Sequence, residues 1–160
     1  MKKAVIVIGL GNTLMSDEGL GVHVVQRLSD FADKFPQVDF TDAGTGGVSI
    51  LHLISGKDKA IFIDCAKMGE KSGAIKKFTL REIKSTKVLS HQSLHEVDLI
   101  KIIEMAGRLG QCPADIIIFG IEPQSVEPGR ELSETLADRL NEYVTEICKE
   151  LVPYQKNHGQ

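Results

Sequence analysis

Ala4-Val5-Ile6-Val7-Ile8-Gly9-Leu10-Gly11-Asn12-Thr13-Leu14-Met15-Ser16-Asp17-Glu18-Gly19-Leu20-Gly21 is the stretch that decides the fold. Ala4 to Ile8 is unbroken apolar sequence, the character of a central strand covered on both faces. It breaks at Gly9 into a glycine-rich turn, and a helical period opening with two carboxylates comes next. Leu20, Val24, Leu28 and Phe31 recur at three- and four-residue spacing with Val25 beside them, an apolar stripe that can lie on a sheet. Ser16 is the predicted N-cap of this helix. Gly19 and Gly21 inside it cost about 1 kcal/mol each against alanine. That cost is tolerable where a partner strand or a substrate must approach the backbone closely. Gly9 and Gly11 match a nucleotide loop poorly. The Gly-Lys-Ser/Thr of a phosphate loop is absent, and Asp17 and Glu18 stand where a phosphate would sit and would repel it. A cation is welcome there instead.

Working outward, the same alternation of apolar strands and helices recurs. Val38 to Thr41 reads as a second strand ending in Asp42-Ala43-Gly44-Thr45-Gly46-Gly47, a sharply turned loop. Val48 to Ile54 reads as a short helix stopped by Gly56. Ala60 to Ile63 is another fully apolar strand, closed by Asp64-Cys65. Ala74 to Leu80 alternates partly and carries Lys76 and Lys77, which suits an exposed edge strand. Arg81 to Ser90 is ambiguous. Ser93 with Glu96 forms a capping-box pattern, starting a helix whose Leu99, Ile102, Ile103 and Ala106 face inward. Asp115 to Ile121 is a further buried strand. A final amphipathic helix carries Leu132, Leu136, Leu140, Val144, Ile147 and Leu151. The expected fold is a three-layer α/β/α sandwich around a mostly parallel, possibly mixed, sheet of about five strands. It occupies residues 1–152 as a single domain, with a polar tail at 153–160.

Composition narrows the function. A chain of 160 residues is most simply one domain. A net charge of -3 with scattered Lys and Arg leaves no footprint for nucleic acid. No apolar run approaches the ~20 residues of a membrane span, and the short run after Lys3 makes better sense as a buried strand than as a leader. A cytoplasmic location is expected. The three cysteines, Cys65, Cys112 and Cys148, form no CxxC pair and read as small buried hydrophobes.

In such sheets ligands bind outside the carboxyl ends of the strands. Glu18 follows the first strand's loop, Asp64 ends the third strand and His95 lies in the first turn of a later helix. Two carboxylates and an imidazole suit a borderline divalent cation such as zinc or nickel, and a helix start favours the neutral imidazole a ligand must be. Each residue also has a plainer reading: Glu18 as a first-turn charge, Asp64 as a cap for the helix or turn after it, His95 as a partly buried helix-start residue. His91 lies four residues before His95 but ahead of the capping box, so it reads as outside the helix. Asp17 is expected to point to solvent or to bond to its own turn. His23 and His52 read as core or surface. A thiol site at Cys65 paired with His95 lacks any feature that lowers the thiol pKa, there is no GxSxG elbow, and Asp17 or Asp42 with Asp64 as an acid dyad rests on spacing alone.

The motifs carry more. Gly9-x-Gly11-Asn12-x-Leu14-x-x-Asp17-Glu18-Gly19-x-Gly21 resembles the opening signature of the hydrogenase maturation endopeptidases. The resemblance continues through Asp42-x-Gly44-Thr45, Asp64, Ser93-x-His95-Glu96, Gly120-Ile121-Glu122-Pro123 and Pro128-Gly129-x-x-Leu132-Ser133, in order over nearly the whole chain. It implies a single phosphorylase/hydrolase-like α/β/α domain. It implies a protease, grouped with the aspartic peptidases, that clips a C-terminal extension from the precursor of a nickel-iron hydrogenase large subunit after metal insertion. The family's metal-recognising residues fall on Glu18, Asp64 and His95, and its glycine-rich, substrate-recognising segment on Asp42 to Gly47. Nickel is then recognised in the substrate, with zinc or cadmium able to substitute in a crystal, and a metal-activated water is one way to cleave. Glu18, Asp64, His95 and Asp42 are the expected catalytic set. The partner is the large-subunit precursor, with neither nucleic acid nor membrane, and the free protein is expected to be a monomer. Two other readings stay open: a different metal-dependent hydrolase on the same fold, and a non-cleaving nickel-centre assembly protein.

Overall fold

The structure, a computed structural model, describes residues 3–85 and 94–157. Five strands, β1 (Val5–Gly9), β2 (Val38–Asp42), β3 (Lys59–Cys65), β4 (Ile75–Thr79) and β5 (Asp115–Ile121), form one sheet in the order β2-β1-β3-β5-β4. All pairings are parallel except β4 against β5. The helices are α1 (Leu20–Ser29), α2 (Ser49–Ile54), α3 (Leu80–Ser85), α4 (Leu94–Arg108), α5 (Glu134–Asp138) and α6 (Leu140–Leu151).

The period-2 alternation of the apolar strands sorts their side chains into two cores. Val5 and Val7 of β1 and Ile61 and Ile63 of β3 pack with Leu20, Val24, Val25 and Leu28 of α1 and with Val144, Ile147 and Leu151 of α6. Ile6, Ile8, Ala60 and Phe62 pack on the other face with Ile50 and Ile54 of α2 and Leu99, Ile102, Ile103 and Ala106 of α4. The mixed three-layer sandwich is the result. β1 and β3 are buried along their whole length, whereas β4 exposes Lys76 and Lys77 at the sheet edge, where its antiparallel pairing adds a strand to β5 alone.

The close approach expected at the helix glycines is real. A Cβ on Gly21 would lie 2.1 Å from the Ile63 carbonyl oxygen and 2.3 Å from that of Leu10. A Cβ on Gly9 would lie 2.3 Å from the Gly21 oxygen. The first turn of α1 therefore rests directly on the carboxyl ends of β1 and β3.

Three local expectations are corrected. Ser16 does not cap α1. It takes a positive φ of 52° and opens a 3-10 turn at Ser16–Gly19, its hydroxyl donating to Glu127 O at 2.6 Å. Gly19 stands at the cap position of α1, without a side-chain bond. Glu18 consequently lies in the 3-10 turn ahead of α1 rather than in the helix. The final amphipathic stretch is two helices, not one: the chain breaks at Arg139 (φ -99°, ψ 3°), Leu132 precedes both, and Ser133 caps α5 by accepting from Leu136 N. Asp64 stands at the end of β3, as expected, in a ladder that runs on to Cys65. The ambiguous stretch after Leu80 begins as α3. His91 and the Ser93 half of the capping box lie outside the described residues.

Among the described residues no helix is long and apolar enough to cross a membrane.

Candidate active site

The carboxyl rim of the sheet is assembled from adjacent strand ends. Gly9 of β1 is in register with Asp42 of β2 on one side and with Ile63 of β3 on the other. Asp42 and Asp64 therefore flank the turn that leaves β1. That turn is pinned to both: Leu10 N donates to Ile63 O at 2.9 Å, Ala43 N to Gly9 O at 3.0 Å and Gly11 N to Gly44 O at 2.7 Å.

Glu18 is carried over this rim by the 3-10 turn. Gly11, at φ 137°, accepts its backbone: a Cβ there would sit 1.8 Å from the Glu18 carbonyl oxygen. Only glycine serves at Gly11, both for its φ and for the space. The Glu18 side chain is half-buried and makes no hydrogen bond or ion pair among the described residues.

Asp64 is 5 % exposed, and its Oδ1 accepts from the Cys65 N–H at 2.8 Å. By the strand's alternation it shares the α4 face with Ala60 and Phe62. There it lines a small apolar pocket with Phe78, Ile83, Leu99 and Ile118. Leu99 is one helical turn downstream of position 95. α4 runs from the carboxyl rim back toward the start of β5, so position 95, its second residue, belongs to the rim end of that helix. The His95 side chain lies outside what the structure describes. Among the described residues no three His, Cys, Asp or Glu side chains are grouped closely enough to hold a metal. The described part of the expected set is the pair of carboxylates.

Asp42 shapes the loop beside them. Its Oδ1 accepts from Gly44 N at 2.8 Å, an Asx-type turn. Gly44, Gly46 and Gly47 then take φ values of 54°, 85° and 97°. Leu14 and Val48, on the two loops that the Gly11–Gly44 bond joins, are 58 % and 63 % exposed. Cys65 is buried, as expected of a small hydrophobe. His52 is exposed and His23 half-buried.

Asp17 is the residue that linear reading misplaced. It is fully buried, at 0 % exposure, not turned to solvent and not bonded to its own turn. Its Oδ2 accepts from Gln124 N and Ser125 N, both at 2.9 Å, and from Ser133 Oγ at 2.8 Å; its Oδ1 accepts from Ser133 N at 2.7 Å. The signal available in sequence was only the adjacency of two acids, which does not say which one turns inward. Glu122 was equally unreadable: it is buried, and its Oε2 takes the Met68 N–H at 2.6 Å, tying the loop after β3 to the end of β5. Behind this loop the Tyr143 hydroxyl donates to Gly73 O at 2.6 Å. Burial, outweighing the nearby Arg139, pushes that phenol up to about 12.

Comparison with known proteins agrees with this architecture. A family model described as hydrogenase maturation protease matches residues 22–150. The chain is 26% identical over 151 residues to the hydrogenase expression/formation protein HupD of Bradyrhizobium diazoefficiens, covering 94% of this chain and 79% of that one. It is 25% identical over 148 residues to the hydrogenase 2 maturation protease of Escherichia coli, covering 92% and 90%. Among solved structures, the hydrogenase 2 maturation peptidase from Thaumarchaeota archaeon SCGC_AB-539-E09 superposes with a TM-score of 0.71 at 31% identity, over 93% of this chain and 98% of that one. The hydrogenase maturating endopeptidase HybD from E. coli shares the fold at a TM-score of 0.80 and 22% identity, over 94% and 92%.

Proposed function

The chain belongs to the hydrogenase maturation protease family, and from that premise we propose that it removes a C-terminal peptide from the precursor of a nickel-iron hydrogenase large subunit, and does so only once nickel is in place. What supports the reading is the order of the elements: Glu18 stands in the turn that follows β1, Asp64 at the end of neighbouring β3, and position 95 in the first turn of α4. Two carboxylates and a neutral imidazole are the donor chemistry of a borderline divalent cation.

In this reading the nickel arrives as part of the substrate, and Glu18, Asp64 and His95 complete its surroundings. A precursor without metal offers these carboxylates nothing to neutralise them and docks poorly, so metal content becomes the condition for cleavage. The metal's contribution, when the complex forms, is Lewis acidity toward the scissile carbonyl or toward water. The chain's own contribution is placement. Hydrolysis adds a water oxygen to the carbonyl carbon, breaks the C–N bond and delivers a proton to the departing amine. A rim carboxylate within reach of that water is the proton acceptor and later the donor. The Asp42–Gly47 loop, sharply turned by positive φ values at Gly44, Gly46 and Gly47, and the exposed Leu14 and Val48 offer the extended tail a bed.

The test is mass spectrometry of purified precursor, with and without nickel, mixed with this protein. The expected result is loss of a C-terminal fragment from the nickel-loaded precursor alone. Glu18→Gln, Asp64→Asn and His95→Ala are each expected to abolish that loss with the fold intact by circular dichroism, while Cys65→Ser keeps it. Stable binding without a mass change would leave an assembly role, cleavage of generic peptides would point to a broader hydrolase, and an inactive Cys65→Ser beside an active His95→Ala would replace the metal reading with a thiol one.

A further inference from the structure

We infer that Asp17 is the positioning residue of Glu18: a buried carboxylate whose four hydrogen bonds to the Gln124–Ser133 segment hold the 3-10 turn at the angle that presents Glu18 to the rim. The inference rests on the reading of Glu18 as a metal-recognising carboxylate.

A carboxylate is taken fully out of water at large cost unless it is richly hydrogen-bonded. Asp17 has no basic partner among the described residues; three backbone N–H groups and one hydroxyl take that place. Oδ2 carries three of those bonds, and neither oxygen faces solvent. The acid next to Glu18 is thus committed inward and takes no part in binding a cation.

The same segment is zipped to the turn through its backbone. Ser16 N donates to Gly129 O at 2.8 Å, Gly129 N to Leu14 O at 2.9 Å and Asp17 N to Ser125 O at 3.0 Å. On the far side, the Glu18 carbonyl is seated on Gly11. Glu18 therefore lies between two fixed points, with its side chain unpartnered among the described residues. A 3-10 turn advances about 120° per residue, so anchoring residue 17 sets the direction in which residue 18 leaves the turn. Freeing the Asp17 carboxylate lets the turn rotate, and the rotation carries Glu18 off the rim while leaving both cores untouched.

The test compares wild type, Asp17→Asn, Glu18→Gln, the double variant and Ser133→Ala as full-length proteins. Affinity for nickel-loaded and for metal-free precursor is measured by biolayer interferometry, beside processing kcat/KM and thermal melting. The readout is the ratio of the two affinities, which a general loss of stability does not change. Asp17→Asn is expected to lower that ratio and kcat/KM by about 10- to 100-fold, the range for residues that orient a metal-contacting group. In the Glu18→Gln background it is expected to cost nothing further, because it acts only through Glu18. Ser133→Ala, which removes one of the four bonds, should move the ratio in the same direction by less, and it decides the matter if Asp17→Asn does not fold. A folded Asp17→Asn or Ser133→Ala with the wild-type ratio overturns the inference, as does a loss that multiplies with Glu18→Gln. Should Glu18→Gln itself keep the wild-type ratio, the reading of Glu18 has failed and this inference falls with it.

Discussion

Replacing Gly21 by alanine puts one methyl group where the sheet and the first helix touch. The new Cβ would lie 2.1 Å from Ile63 O, 2.3 Å from Leu10 O and 2.8 Å from Leu10 N. All three are backbone atoms, so no side chain can swing away, and α1 must lift by about 1 Å to restore ordinary contact. Overpacking of this kind costs about 1–3 kcal/mol. Weakening the Leu10 N to Ile63 O bond, 2.9 Å long and at the same spot, adds about 1 kcal/mol. Against this stands about 1 kcal/mol of helix propensity gained on replacing glycine. The net expectation is a loss of about 2 kcal/mol, a fall in Tm of about 4–8 °C for a chain of this size. Gly107 supplies the control. It too is helical, but a Cβ added there would meet nothing within 4 Å, so Gly107→Ala should raise stability by about 0.5–1 kcal/mol. Calorimetry and urea titration of both variants read the pair. Processing should fall in Gly21→Ala, because the 3-10 turn that carries Glu18 runs directly into the helix that must lift, and hold in Gly107→Ala. A Gly21→Ala protein as stable as wild type, or a Gly107→Ala protein equally weakened, would refute the argument from close approach.

Titrating groups away from the rim give two further expected outcomes. Glu150 is subject to burial, which raises its pKa, but hydrogen bonds from Lys77 and Lys59 outweigh this and hold it below the ordinary 4.5. A depressed carboxylate stabilises above its unfolded value and loses that contribution as pH falls through the folded one. Glu150→Gln should therefore cost about 1 kcal/mol or less at pH 7, with the gap to wild type closing as the pH drops below 4.5 in a series of urea titrations. Tyr143, raised to about 12 by burial, behaves oppositely. Its hydroxyl bond to Gly73 O contributes below the ordinary value of 10 and is lost as pH climbs toward about 12. Tyr143→Phe should cost about 1 kcal/mol at pH 7, and alkaline melts of the two proteins should converge.

The layered fold was readable because its signals are local. Val5 to Ile8 and Ala60 to Ile63 are apolar without a break, and only a strand covered on both faces makes use of that. Lys76 and Lys77 side by side marked β4 as the edge it is. Failures came where one residue's conformation depends on a distant segment. Ser16 looks like a cap until Glu127 and Gly129, more than 100 positions away in the chain, hold it at a positive φ. The last helix keeps one apolar period across Arg139, and periodicity does not register a break that preserves the stripe. For the site, Asp64 and Asp42 were legible as acids at strand ends. Glu18 was singled out by its motif, of which the structure bears out the glycines: Gly9, Gly11 and Gly21 stand where backbones touch.

The division between Asp17 and Glu18 marks where sequence stops. By itself the chain determined an alternating α/β order, a mostly parallel sheet with an exposed edge strand at Lys76 and Lys77, and strands closed by acids. Each of these is written in the spacing of apolar, small and charged residues over ten or twenty positions. Only the tertiary structure decided that Asp17 is buried at 0 % exposure while Glu18 stays half-exposed. The two are adjacent and chemically alike, and nothing within the turn distinguishes them. The backbone of Gln124, Ser125 and Ser133 does, because its N–H groups reach Asp17 only after the sheet has brought the ends of β1 and β5 to the same side. A carboxylate goes inward where donors await it, and those donors belong to a loop that the local sequence does not contain.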